Sequence, residues 1–258
     1  MSLFISSVFT YDEDAGNYIQ AVETADAQAL EPATRKAINN FVIGCKQDGI
    51  WTAIKASCIL AGARTLTGAL VPLVGTAPTN VDGLFDSGDY NRKTGLIGDG
   101  STKSLDSNRN NNADPQNSKH VSAYATTVSS VGNACYVGMP AATGSTHLAP
   151  TVGNVAILGG RINSASGIGT SAANTAGLVA FNRSTSTGFV ARGGGSTTAE
   201  VANTSATPAS GNILVFDGLA EGLSGARLAF YSIGESLNLA QLDARVTDLI
   251  NAFAVTIP

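Results

Sequence analysis

Two histidines, His120 and His147, carry all the imidazole chemistry this chain has. A hydrolytic triad would set one of them beside a nucleophile and a carboxylate, yet neither stands in a nucleophile elbow or a comparable setting. Paired carboxylates facing one sugar ring could cleave a glycosidic bond. Asp82, Asp86, Asp89, Asp99 and Asp106 cluster in sequence, but in a turn-rich stretch where Asp has a local hydrogen-bonding reason to occur. Glu200, Glu221 and Glu235 are widely spaced near expected loops or the last strand. No catalytic residue is assigned, and the expectation is a protein that is not an enzyme.

Calcium is the one cofactor the residues suggest. Asp106, Asn108 and Asn110, with Asp114 beyond, offer oxygens at alternate positions, as a calcium loop does. The segment departs from the EF-hand rule, with Asn111 where Gly is required and Asn117 at the final Glu position. The competing reading is a surface loop rich in Asx turns. Gly167-Ile168-Gly169 and Gly193-Gly194-Gly195 lack the following helix and the Lys or acidic partner of a nucleotide site, so they are read as turns. Trp51, Tyr124 and Tyr136 could stack on a sugar or base, but they lie in apolar segments and are read as core. Cys45, Cys58 and Cys135 form no CxxC pair and no disulfide framework; buried thiols are expected.

The elements that would hold these residues fall into three textures. Residues 15–30 and 32–47 carry helical spacing: Tyr18, Val22 and Ala25 in the first, and Ala33, Ala37, Ile38, Phe41, Val42 and Cys45 in the second. Pro32 suits a first-turn position and Gly49 a terminator. Ile50 to Ala63, with Trp51, Ile54, Ile59 and Leu60, continues as a further helix ending near Gly62. From about residue 66, short apolar runs alternate with Gly, Asn, Ser and Thr clusters. Candidate strands are 95–97, 120–127, 134–139, 155–159, 178–182, 188–192, 212–217 and 227–232, bounded by turn formers such as Asp82-Gly83, Asp99-Gly100 and Asp217-Gly218. Asp106 to Asn117 has almost no apolar content and is expected on the surface as a loop. Near the end, Asn238 is placed to cap a helix carrying Leu239, Leu242, Val246, Leu249 and Phe253.

This pattern predicts a mainly β chain, an antiparallel sandwich with N-terminal helices and a short C-terminal helix. The expected organisation is 1–75, mostly helical and packed on the sandwich or on a partner; 76–235, the sandwich; and 236–258, the C-terminal helix and tail. Charged residues make up 13% of the chain, about half the usual share, which suits a surface covered by neighbouring copies. The formal net charge is -4 with no basic stripe, which argues against a nucleic-acid partner. No apolar run approaches the roughly 20 residues of a membrane span, and Met1-Ser2-Leu3-Phe4-Ile5 lacks a secretory leader.

Longer phrases carry a resemblance. The segment from Asp89-Tyr90-Asn91-Arg92-Lys93-Thr94-Gly95-Leu96-Ile97 through Gly98-Asp99-Gly100 to Asn108 resembles an early strand and turn of phage structural proteins of the concanavalin-like, laminin-G-like type. Arg227-Leu228-Ala229-Phe230-Tyr231-Ser232-Ile233-Gly234-Glu235-Ser236-Leu237, followed by Leu242 to Val246, is similar to their closing strand and helix, and Phe41 to Ala56 to their helical lead-in. The resemblance implies a concanavalin-like jelly roll and a tailed-bacteriophage virion component in a tail, fibre, baseplate or capsid-surface position. Particle assembly with other virion proteins is then the leading function, through a homo-oligomer, cyclic and trimeric, that covers the helical stripes. The alternative is an adhesion module recognising host-surface glycan on the loops near Asn108 to Asn117 or Gly193 to Ser196. A glycan depolymerase is the remote third.

Overall fold

The computed structural model describes residues 10–218 and 222–258. The start Met1–Ile5, expected to lack a secretory leader, lies outside the described residues. Helix α1 spans Glu13–Asp26, opened by Asp12, whose carboxylate accepts from the Asp14 amide. Helix α2 spans Pro32–Gln47 with Pro32 in its first turn, and Gly49 beyond it takes φ +71°, a left-handed conformation that costs glycine little. A four-residue α3 follows at Leu66–Ala69. Helix α4 spans Leu239–Thr256, and Asn238 caps it by accepting from the amides of Ala240 and Gln241. Asn238→Ala is expected to cost about 1 kcal/mol, read as a lower urea midpoint with unchanged slope.

Two antiparallel sheets stack face to face. Across the first, the strand order is Ser196–Thr197, Gly188–Gly193, Gly177–Arg183, Lys119–Thr127, Arg227–Gly234, Ile54–Ile59 and Pro72–Val74, with three short strands attached. Across the second it is Ile168–Ala173, Asn154–Ser164, Ser145–Thr151, Val137–Gly138, Asn212–Val215, Leu105–Asn110 and Thr79–Asn80. Strand periodicity sends alternate side chains to opposite faces. Val121, Ala123 and Ala125 therefore enter the core between the sheets, with Val179, Phe181, Leu148 and Ile162. Tyr124, Leu178, Ala180 and Phe230 point the other way, into a second core beneath the helices.

That second core absorbs the helical stripes. Ile38, Phe41, Val42 and Cys45 of α2 and Leu242, Val246, Leu249 and Phe253 of α4 are buried in it, at about 1.5–3 kcal/mol for each fully buried large side chain. Phe41 meets Phe230 edge-on, ring centroids 5.8 Å apart. Arg245 bonds Asp48 at 2.7 and 2.9 Å, tying α4 to the end of α2, and Arg192 reaches Asp243 at 2.8 Å, tying sheet to helix. The stripes expected to need a second copy are thus covered by the chain's own first sheet, which removes the physical premise on which an oligomer was expected.

Three local expectations are corrected. Ile50 to Ala63 is not a helix: a turn at Trp51–Ala53 leads into the strand Ile54–Ile59, set between Arg227–Gly234 and Pro72–Val74. Both its faces are covered, so the polar alternation that marks a half-exposed strand is missing. The first sheet therefore reaches back across the boundary expected at residue 75. Asp106 to Asn117 is a surface loop only in part, with Asn108, Asn112, Pro115 and Asn117 exposed. It holds the strand Leu105–Asn110 and a short turn, with Ser107, Asn111 and Asp114 buried. Finally, Ser145–Thr151 and Ile168–Ala173 are strands where no strand was expected. No described helix is long and apolar enough to cross a membrane.

Candidate binding groove

His120 is fully buried in the first sheet. Its Nδ1 donates to the carbonyl of Glu235 at 2.6 Å, which leaves Nε2 to accept from the Ser232 hydroxyl, also at 2.6 Å. Burial pulls its pKa down to about 4. A neutral ring with both nitrogens engaged inside a sheet is a structural histidine.

The aspartates serve turns. Asp99 accepts from the amides of Ser101, Thr102 and Lys103, Asp86 from Gly88, and Asp89 holds Lys103 at 2.6 Å. Glu200 accepts from Thr187, Glu235 pairs with Lys55, and Glu221 lies outside the described residues. The calcium set does not converge on a shared centre. Asp106 takes the Asn108 amide and the Asn212 side chain, Asn108 donates to the Ala77 carbonyl and Thr79, and Asn110 accepts from the Gly211 amide. Asp114 is buried against Arg109, with Lys119 at 3.7 Å, so two cations already stand where a calcium ion would have to approach. Among the described residues no cluster of three His, Cys, Asp or Glu side chains could hold a metal. Of the aromatics, Tyr124 and Tyr136 are core, while Trp51 is half-buried and donates to Asp14.

The second histidine leads to a different setting. On the outer face of the second sheet, a groove of about 240 Å³ runs over the strands Ser145–Thr151, Asn154–Ser164 and Ile168–Ala173. His147 stands directly opposite Arg161 in the ladder, so both side chains leave the sheet on the same face. Thr151 and Asn133 complete the polar lining, and Val152 and Ile168, 65% and 38% exposed, form aliphatic walls. The floor is glycine. A Cβ at Gly159 would stand 2.5 Å from the Thr151 hydroxyl, and one at Gly160, where φ is +150°, would stand 2.1 Å from the His147 carbonyl. Larger residues at either position would close the groove or push its strands apart.

The groove carries an unmet demand. His147 is only 4% exposed, and its buried Nδ1 has no hydrogen-bond partner; the buried Thr151 hydroxyl has none either. An orphaned buried polar atom costs about 1–3 kcal/mol, and native folds rarely tolerate two in one place without a reason. Burial first, then the nearby positive charge of Arg161, brings the His147 pKa down to about 4, so the ring is neutral at physiological pH. No acidic residue lines the groove among the described residues. The arrangement can accept and donate hydrogen bonds; it offers no acid–base pair for hydrolysis.

The loops favoured from sequence also border depressions. One lies beside Gly193, Gly194 and Ser196 and is lined by small uncharged residues. Another, near the Asn-rich segment, is bounded by Asp106, Met139 and Leu214. Sequence reasoning missed Thr151, Gly159 and Gly160, and took Gly167 to Gly169 for a turn. The signal present was Gly159-Gly160 inside a run of strand-forming residues, the mark of a close approach in a sheet.

No family model matches the chain. No curated protein matches it. Among solved structures it is similar to the binding domain of botulinum neurotoxin serotype D, at 10% identity and TM-score 0.40, covering 59% of this chain and 41% of that one. It is similar to domain 4 of AbnA, an extracellular arabinanase from Geobacillus stearothermophilus in complex with arabinotriose, at 11% identity and TM-score 0.41, covering 69% and 82%. A third likeness is to Trypanosoma rangeli sialidase in complex with sialic acid, at 9% identity and TM-score 0.47, covering 80% of this chain. The chain spans 41% of the toxin domain's length and 34% of the sialidase's.

Proposed function

We propose that this chain is a non-enzymatic glycan-binding module whose site is the groove over His147. The observation that carries the reading is one glycine-floored groove lined by His147, Thr151, Asn133 and Arg161, with His147 Nδ1 and Thr151 Oγ1 left without a partner just beneath its surface. A sugar hydroxyl both donates and accepts, so once rotation of these side chains turns the two buried atoms toward the groove it can meet the imidazole nitrogen in either tautomer and the threonine hydroxyl in either role. Sugar rings also present C–H faces, for which Val152 and Ile168 supply aliphatic walls. Adhesion therefore replaces particle assembly as the leading function, since the helical surfaces on which assembly rested are used internally.

The setting we propose is the surface of a tailed-phage virion, among other virion proteins. Its support is the resemblance of Asp89 to Asn108 and of Arg227 to Leu237 to phage structural proteins. Labelling of intact particles by an antibody to this chain tests that setting.

A glycan array probed with the whole chain tests the binding. A subset of glycans should give signal, and Thr151→Val and His147→Phe, which keep shape and remove the polar atoms, should lose it. Silence of the wild-type chain across the array would overturn the reading. Release of new reducing ends from a bound glycan would turn it into the depolymerase.

A further inference from the structure

A second concavity on the same outer sheet face has a different chemistry. It holds about 420 Å³, and its walls include Met139, Pro140, Ala142 and Leu214. Leu214 stands opposite Asp106 in the ladder, so the carboxylate leaves the sheet beside the apolar wall. Asp106 is the one charged residue of this lining among the described residues. Each of its oxygens is held by a neutral donor, Oδ1 by the Asn108 amide at 2.7 Å and Oδ2 by the Asn212 side chain at 3.0 Å. These bonds fix the carboxylate's direction without cancelling its charge. The strand Val137–Gly138 lies between the strands of this pocket and those of the His147 groove.

We propose that this pocket takes an organic cation with an aliphatic body, the chemistry of a lysine side chain presented by a partner protein. The methylene stem covers Met139, Pro140 and Leu214 while the ammonium reaches Asp106, the division of labour that long basic side chains make on mixed surfaces. An anion is disfavoured by the carboxylate. A neutral apolar ligand leaves the carboxylate's charge facing it uncompensated. The inference does not depend on the glycan reading, because it uses different residues.

The test is an NMR titration of the isotope-labelled whole chain with hexylammonium, hexanol and hexanoate as probes. Hexylammonium should shift the amides of residues 106, 139, 212 and 214 and bind about fivefold more tightly than hexanol, as a partly exposed ion pair allows. The preference should shrink with added salt and vanish in Asp106→Asn. Equal binding of hexylammonium and hexanol, shifts confined to other residues, or a preference that survives the substitution would each overturn the proposal. If Asp106→Asn does not fold, the contrast among the three probes on the wild-type chain decides alone.

Discussion

Arg183→Met is expected to destabilise the protein by about 3–5 kcal/mol, on the scale of removing one partner from a buried charged network. Arg183 is fully buried, and its guanidinium is spent on backbone acceptors: Nε donates to the Ile162 carbonyl at 2.7 Å, Nη1 to Gly188 at 3.0 Å and Thr185 at 3.2 Å, and Nη2 to Asn203 at 2.7 Å. Methionine matches much of the stem and supplies no donor, so the four carbonyls lose the guanidinium together, and Gly188 keeps only the Thr185 hydroxyl at 3.3 Å. Ile162 belongs to the strand that carries Gly159 and Gly160, so the same side chain pegs the groove floor to the first sheet. Thermal unfolding should fall by about 10 °C. Glycan binding by the fraction still folded should weaken as well. A melting point within about a degree of wild type would mean that these carbonyls find other donors and that Arg183 is not the peg.

The second large effect is a loss of stability on acidification between pH 6.5 and about 4. Both histidines have an ordinary pKa of 6.5, held down to about 4 in the fold, chiefly by burial for His120, with the charge of Lys119 acting the same way, and by burial with Arg161 for His147. Below pH 6.5 the unfolded chain binds these protons while the folded chain does not, so unfolding gains ground with every step down. The contribution is fully present above pH 6.5 and fully lost below about pH 4, at roughly 3 kcal/mol per histidine. Asp12, Glu31 and Asp48, whose pKa values are lowered chiefly by hydrogen bonds from Lys46, Arg92 and Arg245, add a further loss at lower pH. Urea midpoints at pH 7, 5.5 and 4 measure the slope, and His120→Gln should remove about half of it. A flat profile between pH 7 and 4.5 would show that the imidazoles reach solvent.

Legibility from sequence followed what each segment faces. Helices α2 and α4 were legible because one side meets a core and the other water, so Pro32, Asn238 and the apolar stripes stand out against polar neighbours. The strands Lys119–Thr127, Gly177–Arg183 and Arg227–Gly234 were legible from branched and aromatic residues between turn formers. Ile54–Ile59 was not, because a strand covered on both faces shows a continuous apolar run that a buried helix shows too. Leu105–Asn110 was masked by the opposite effect. Its polar residues find partners inside the fold, Ser107 in the Ile213 carbonyl, and the side-chain NH2 of the adjoining Asn111 in the carbonyls of Gly144 and Ala209. The groove was the least legible part, since it exists only once a register brings His147 opposite Arg161 and leaves glycine beneath.

The three cysteines sit at three depths of the molecule: Cys45 in the helix-covered core, Cys58 in the core between the sheets, and Cys135 against Gly138 on the second sheet. All are buried as thiols, and burial pushes Cys45 and Cys58 up to about 12. An alkylating reagent can therefore reach each sulfur only when its own stratum comes apart, and the chain is furnished with three separately addressable clocks. Their relative rates would tell whether the helices lift off while the sheets stay married, or whether everything yields in a single event.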